Sequence, residues 1–578
     1  MNPPAGARDA LVVGVAVVLL GVLAAGMAAP PPPAAPAVSS AQPAVVGTQR
    51  ILREGVIGSV TTLNPLFVRT RPEQDVAALV FRGLTKLGAN DAIVPDLATS
   101  WTVSKDGRTY RFTLRLDARW EDGARVTADD VVYTVLVLQH PDYQGPLAGQ
   151  WRGVTAKKID AATVEFKLAT PVATFLSATR QAILPSHVLA TIPIADLPNV
   201  PFDLQPVGDG AFRVAAVSGD HVLLERTRAA DEAALLQPSV LEPGRVPLDP
   251  AGWAADDPSL DGIDMRLYPD AAKLASAYRA GVVDTAAGLD AATVADLRST
   301  AGTTVLRYPR SVVTAVALNL RFGQNMFQDA HVRKALLLAV DRDAIVRDVL
   351  RTMGVRADTL IPPSSWAFDG KAAGRVTYSA AQAVKELKAA GWKRTKSGWL
   401  RPGSKDLVAF DLLTVDVATN PVDVAIATRL VTAWKAIGLR VKLVALPPGQ
   451  AVTARLVPGK FEAAVMDVNL GLDPDVYPLL ASSQVIAGGS NVSGYQSSAL
   501  DPLLESARQY ASRTTRLKRF AALEQELAKE LPMLPLVYGD YLYVVRNRLT
   551  GPAPQEIGTG SDRFWDVLTW RLAGAAGT

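Results

Sequence analysis

Along most of this chain the spacing of apolar residues switches between two periods, and that alternation limits the fold to a mixture of strands and helices. In TYRFTLRL, Tyr110, Phe112, Leu114 and Leu116 fall at every second position, the pattern of a half-buried strand. Asp122-Gly123 then supplies a turn, and Thr127 is placed to cap a helix whose first turn carries Asp129 and Asp130, where the helix dipole favours anions. Ser379 caps SAAQAVKELKAAG, with Ala383, Leu387 and Ala390 on one face and Gly391 closing it. Pro421 opens PVDVAIATRLVTAWKAIG, where Ile426, Leu430, Trp434 and Ile437 form an apolar stripe ended by Gly438, and the strand LRVKLVAL follows. Asp329 is placed to cap AHVRKALLLAVDRDAIVRDVL as one helix. The fold class is α/β.

A chain of 578 residues is too long for one core and reads as several units or as lobes sharing a ligand. Hydrophobic residues at 49% and charged residues at 20% are the proportions of a folded globular protein. The formal charge of +4 is spread without a basic block, which gives nucleic-acid binding no support. Cysteine is absent, so disulfides, thiolate metal sites and lipid attachment through cysteine are all excluded. The uncharged run Ala10 to Ala29 has about the twenty residues a bilayer-spanning helix needs, and Arg8 precedes it. Residues 1–29 are therefore expected to be a signal peptide or membrane anchor, with Gly26-Met27-Ala28 as a possible cleavage site and the length favouring an anchor. Residues 30–47, rich in Pro and Ala, form a semi-rigid linker that cannot pack, and the folded part is expected outside the cytoplasm.

Groups able to do chemistry are few. Glu121, Asp122, Asp129 and Asp130 crowd RWEDGARVTADDVVYTV, but a turn and a helix start account for most of them, and no histidine stands at ligand spacing, His140 being the nearest in sequence. His140, His187, His221 and His331 are scattered singly, without a metal-binding motif. There is no phosphate-binding Walker loop and no GxSxG elbow, and Gly208-Asp209-Gly210 in QPVGDGAFRV reads as a turn between strands rather than a dinucleotide fingerprint. Asn491-Val492-Ser493 is formally a glycosylation triplet. No catalytic residue, metal or cofactor is assigned.

WTVSKDGRTYRFTLRLDARWEDGARVTADDVVYTV resembles the signature region of the large periplasmic or extracellular solute-binding proteins of ABC importers, family 5, the class of oligopeptide- and dipeptide-binding proteins. Other segments continue the likeness in order: LNPLF at Leu63 to Phe67 and ALVFRGLTKL resemble the family's first strand and helix, and PVGDGAFRV its glycine turn. SLDGIDMRLYPD with AYRAGVVD, FQDAHVRKALLLAVDRDAIV, LGLDPDVYPLLASS, NVSGYQSSALDPLL and ELPMLPLVY are similar to its later elements. The likeness runs from about Arg50 to Leu549, interrupted at Ala229 to Pro258 by a Pro/Ala/Asp-rich insertion expected to be a surface loop.

The resemblance implies a two-lobed periplasmic-binding-protein fold of the large class II, or cluster C, type with a ligand cleft between lobes. Lobe I is expected over 48–309, lobe II over 310–530, and a return to lobe I over 531–578, with hinges near Pro309 to Ser311 and Leu531 to Pro535. The implied role is a non-enzymatic, extracytoplasmic receptor, a monomer that closes over a peptide or other small organic solute and delivers it to ABC permease subunits in the membrane. The rival readings are an extracellular hydrolase or peptidase, and a solute sensor or scaffold not coupled to transport. Expected cleft residues are Asn64, Asn319, Trp366, Asp467, Asn469, Asp473 and Tyr495. The plainer expectations are a turn start for Asp473, a strand end for Asn319 and packing for Trp366. Leu470 falls where the resemblance places an aspartate that pairs with a peptide's free amine. Either Asp467 or Asn469 takes that part or the solute lacks a free amine, and the second is preferred because polar pocket groups are few and specific.

Overall fold

In the computed structural model, residues 50–147, 151–227, 259–321, 326–486 and 489–573 are described. The apolar run, the linker and the Ala229 to Pro258 insertion lie outside them. Among the described residues no helix is long and apolar enough to cross a membrane.

Two large sheets, each with its own apolar core, make two α/β lobes. The seven-stranded sheet runs in the order Thr303–Tyr308, Tyr541–Arg546, Thr285–Ala287, Ile51–Ile57, Gly262–Tyr268, His221–Arg226, Phe212–Val217. Ile51–Ile57 pairs in parallel with both neighbours, so the first strand of the fold is central. Gly55 is required there, because a Cβ would lie 2.4 Å from Leu274 Cδ1 and 2.8 Å from the Thr285 carbonyl. An antiparallel four-stranded sheet, Ala98–Val103, Thr109–Leu114, Thr163–Leu168 and Val154–Asp160, extends this lobe. The six-stranded sheet of the other lobe runs Gly354–Arg356, Met533–Gly539, Val312–Leu318, Ala463–Asn469, Ala409–Val415, Arg440–Leu446.

Among the described residues the chain crosses between lobes twice. Pro309 to Ser311 connects the two sheets. The second crossing comes later than expected. Leu531 only ends helix Arg513–Glu530, and Met533–Gly539 still pairs with Val312–Leu318, so the return to lobe I is at Asp540 rather than at Leu531 to Pro535. Arg307 Nε donates to Asp540 Oδ2 at 2.6 Å, tying the two crossings together. The carboxyl titrates above its usual range because burial outweighs the guanidinium.

Several local expectations need correction. Tyr110, Phe112 and Leu114 are buried, but Leu116 is 71% exposed, because the strand ends at Leu114 and the Arg115 N–H turns to the Leu97 carbonyl. Asp329 caps only Ala330–Leu338; Asp341 accepts from the Ala344 N–H and starts a second helix, Arg342–Asp348. LNPLF is a turn with Leu63, Leu66 and Phe67 buried, and the first helix is Arg71–Val80. The glycines of PVGDGAFRV let its backbone press on that helix end: Asp209 and Gly210 N–H groups donate to the Val80 carbonyl, and Cβ atoms at 208 and 210 would both lie 2.5 Å from backbone oxygens.

The four carboxylates near the signature hairpin all hold structure. Asp130 accepts from the Thr127 N–H at 2.8 Å and from the Ser186 N–H and hydroxyl at 2.8 and 2.7 Å, Glu121 accepts from the Gly208 N–H at 2.6 Å, and Asp129 pairs with Lys158 at 2.7 Å. Asp122 accepts from the Ala124 N–H at 2.9 Å and meets His187 Nε2 at 2.7 Å, so the histidine nearest in space is not His140, the nearest in sequence.

The first described elements of lobe I and its C-terminal segment meet at Arg563, which is fully buried. Its guanidinium donates to Glu54 Oε1 at 2.7 Å and to Asp75 Oδ1 and Oδ2 at 2.8 and 2.7 Å, while the Tyr543 hydroxyl donates to Glu54 Oε2 at 2.6 Å. Burial works against the charge, but the two carboxylates prevail and hold the proton on Arg563 more tightly than usual. Arg563→Met, by leaving two buried carboxylates uncompensated, is expected to cost about 3–5 kcal/mol in urea denaturation.

Candidate functional site

The region between the lobes is built around the first crossing. Arg310 lies between a lobe I strand and a lobe II strand, and its backbone bridges to Ile557 of the C-terminal segment. Its guanidinium makes no hydrogen bond or contact ion pair among the described residues. The groups around it are Asp467 and Asp423 from lobe II, and Arg71 and Tyr541 from lobe I. Burial weakens its hold on the proton, and the Asp467 charge opposes this.

Strand geometry explains the lobe II side. In Ala463–Asn469 only Asp467 and Asn469 are partly exposed, two positions apart and thus on one face. Asp467 accepts the Thr314 hydroxyl at 2.6 Å. Asp423 sits in the first turn of Pro421–Ala436, capped by Asn420, and is 5% exposed. Burial pushes its carboxyl well above the usual range, the Asp467 charge adds to this, and Arg310 opposes it. The site therefore brings a guanidinium without a direct partner among the described residues together with two carboxyl groups, a setting for a solute with separated charges rather than for an apolar one.

The remaining expected residues divide. Asn469 is at the hinge but engaged: its Oδ1 accepts from the Ser311 hydroxyl at 3.0 Å and the Gly471 N–H at 2.9 Å, and its Nδ2 donates to the Gly558 carbonyl at 2.7 Å. Asp473 grips Arg516 with both oxygens, at 2.7 and 2.6 Å, and the Arg516 guanidinium lies 4.8 Å over the Trp366 ring, so these two residues form a lobe II clamp. Asn64, fully buried, accepts from the Leu66 N–H at 3.3 Å and shapes a lobe I turn. Asn319 donates to the Gly459 and Phe461 carbonyls at 2.9 and 2.7 Å and closes a strand end. The Tyr495 hydroxyl donates to Glu530 at 3.1 Å, away from Arg310 and its neighbours. Leu470 is fully buried, with its N–H donating to the Ser311 carbonyl at 2.9 Å, and is closed to any ligand contact.

Sequence reasoning missed Arg310, Arg71, Asp423 and Tyr541. Asp423 was hidden because a first-turn acid has an ordinary helix role. Arg310 stood inside the expected hinge, and a charge between two apolar strands was its one signal. Two motifs resolve as ordinary structure. Asn491 is 3% exposed and donates to the Ala481 and Tyr495 carbonyls, which closes the glycosylation triplet to carbohydrate in the folded chain. Ser218, Asp220 and His221 meet on an exposed turn, but hydroxyl and carboxylate both address His221 Nδ1, whereas a relay needs opposite ring nitrogens.

The sequence pattern of the bacterial extracellular solute-binding proteins, family 5 middle, matches residues 92–487, and the chain belongs to that family. Its members are binding proteins rather than enzymes. The chain is 27% identical over 511 residues to the oligopeptide-binding protein AppA of Bacillus subtilis, covering 86% of this chain and 88% of that one. It is 25% identical over 496 residues to a dipeptide-binding protein of Escherichia coli, covering 82% and 86%. The structure of Bacillus subtilis AppA in complex with a nonapeptide matches with a TM-score of 0.70 and 25% identity over 91% of this chain and 100% of that one.

Asp423 gives the site a pH signature. An acid whose folded pKa is raised costs stability progressively as pH climbs above its unfolded value of roughly 3.9. Asp423→Asn is expected to flatten the decline in Tm between acid and neutral pH, as read by calorimetry across that range.

Proposed function

We propose that this chain captures a peptide between its two lobes outside the cytoplasm and delivers it to the permease of an ABC importer, working as a monomer. The observation that carries the reading is the Arg310 guanidinium, held between the lobes without a direct partner and joined there by Arg71. A peptide's terminal carboxylate offers the planar, charge-assisted pairing such a group takes. The peptide-binding relatives support the same solute class.

Closure follows from the two crossings. Pro309 to Ser311 and Asp540 are the two covalent links between the sheets, and rotation about them opens or shuts the cleft. The lobes also touch away from the hinge: the Ala173 N–H donates to the Arg508 carbonyl at 2.9 Å and the Tyr110 and Tyr510 rings meet edge-on at 6.3 Å. These contacts belong to a closed arrangement, which a solute bound by both lobes favours over an open one.

Isothermal titration with di- to pentapeptides is the test. Free peptides are expected to bind at about micromolar strength, roughly −8 kcal/mol, and peptides amidated at the C-terminus to bind at least about tenfold more weakly. Arg310→Met is expected to lose that discrimination, and at about a hundred times Kd a bound peptide raises wild-type stability by about 2.7 kcal/mol. Equal binding of free and amidated peptides by wild type removes Arg310 from the reading. Absence of binding by any peptide removes the solute class.

A further inference from the structure

Beside the hinge, the C-terminal segment carries a buried carboxylate with no ion-pair partner among the described residues. Glu556 is 4% exposed, and neither oxygen makes a close hydrogen bond there, only the Ser364 hydroxyl being turned toward it. Ionising a buried carboxylate without a cation beside it is costly, so such a group favours a positively charged partner. Its position is set by backbone pairing: the Ile557 N–H donates to the Pro309 carbonyl at 2.9 Å, and the Ser311 N–H donates to the Ile557 carbonyl at 3.1 Å.

A second carboxylate meets it from a hairpin tip. Thr85–Leu87 and Ile93–Pro95 form a short antiparallel pair, and between them Asn90 and Asp91 both adopt left-handed backbone, at φ 57° and 59°. That conformation is uncommon outside glycine, and Asn and Asp tolerate it best. Gln555, the neighbour of Glu556, staples the tip: its Oε1 accepts from the Asn90 N–H at 2.9 Å and its Nε2 donates to the Gly88 carbonyl at 3.0 Å. Asp91 Oδ1 is likewise buried without a partner. Lobe II faces the pair with the Ser364 hydroxyl, toward Glu556, and with Arg513, toward Asp91. Arg513 lies 5.4 Å over the Trp366 ring, and the Asp562 carboxylate also bears on Asp91.

We propose that Asp91 and Glu556 form a subsite for a positively charged group of the solute, an ammonium or guanidinium, next to the hinge strand that carries Arg310. The proposal rests on the reading of the region between the lobes as the solute site. The pairing supplies charged hydrogen-bond donors to these oxygens and stabilises the ionised form of Glu556, which burial otherwise disfavours. Arg513 is placed to meet Asp91 from the other lobe and so leaves a cation on the solute most of its work at Glu556.

The titration of these two groups bears a mark of this arrangement. Burial, with the Asp91 charge adding to it, pushes Glu556 up to about 8. Burial pushes Asp91 up to about 6, with Arg513 opposing and Asp562 adding. A raised acid costs stability as pH climbs from its unfolded value to its folded one, so the full-length Glu556→Gln protein is expected to show a higher Tm than wild type at neutral pH and a shallower decline on the way there.

The decisive experiment is calorimetric titration of the full-length protein with trialanine acetylated at its amine and with likewise acetylated peptides carrying lysine, or its uncharged isostere norleucine, at each position in turn, so that the lysine side chain is the one cation offered. Lysine is expected to be preferred at one position by at least about tenfold, and the preference is expected to vanish in Glu556→Gln and Asp91→Asn while the affinity of acetylated trialanine, which brings no cation to the subsite, holds. Binding of the peptides with no lysine preference, or with a preference that survives both substitutions, overturns the subsite and leaves the peptide reading intact. If no peptide binds, the peptide reading fails, and arginine titrated against citrulline takes over the test. A Glu556-dependent preference for arginine then supports the subsite, and equal or absent binding of the pair overturns it. Protection by calcium or magnesium chloride alone, with no advantage for basic solutes, also overturns it.

Discussion

One buried guanidinium joins the beginning of this chain to its end. Arg563 comes from the C-terminal segment, Glu54 from the first described strand and Asp75 from the first described helix, and the guanidinium pairs with both carboxylates deep in the fold while its Nε finds no acceptor. Such a network is not required for gross stability, since a well-packed apolar core of equal volume can do as well. What it imposes is position. It fixes where the C-terminal segment lies, and that segment is what crosses the hinge at Ile557 and presents Gln555 and Glu556. A second buried charge, Asp284, repeats the device: Arg53 and Arg548 both chelate it and hold its carboxyl below the usual range despite burial.

The geometry between the lobes follows from that anchoring. With the C-terminal segment fixed in lobe I, the hydrogen bonds from Asn469 to Gly558 and from Ser311 to Ile557 give lobe II a defined pivot. The Arg307 to Asp540 pair then clasps the two crossings side by side. Around this pivot the residues split by partnership. Those with short, complete hydrogen bonds, such as Asn469 and Asp473, build the frame. Those without, such as Arg310 and Glu556, have bonding capacity left for something that arrives.

Much of the fold was legible because it depends on local rules. The caps at Thr127, Ser379 and Asp329, the stripe of Ile426, Leu430 and Trp434, and the alternation through Tyr110 to Leu114 need only neighbours a few residues away. The misreadings came where a local pattern overran an interruption. Leu116 continues the alternation but leaves the sheet, and Asp341 breaks a helix whose stripe carries on. The site was harder because it joins residues separated by hundreds of positions. Of the seven expected cleft residues, Asp467 alone faces Arg310. Asn319 and Asn64 are polar residues near a strand end and a turn, and the structure uses them to close backbone bonds, while Tyr495 spends its hydroxyl on the Glu530 carboxylate. The residues that matter most, Arg310 and Glu556, are identified by bonds they do not make, and a missing bond leaves no trace in a sequence.

The sheet order also governs when this protein can fold. Tyr541–Arg546 lies inside the lobe I sheet, between Thr303–Tyr308 and Thr285–Ala287, although it is among the last strands made. Thr303–Tyr308 has no other partner in the sheet and waits for it, the free edge of Thr285–Ala287 waits with it, and Glu54 and Asp75 wait for Arg563. Lobe II lacks just Met533–Gly539 until nearly the same moment. Long-range closure of this kind is slow, and it keeps an elongating chain from sealing its first lobe early. The strands that lock both lobes are thus among the last to be made.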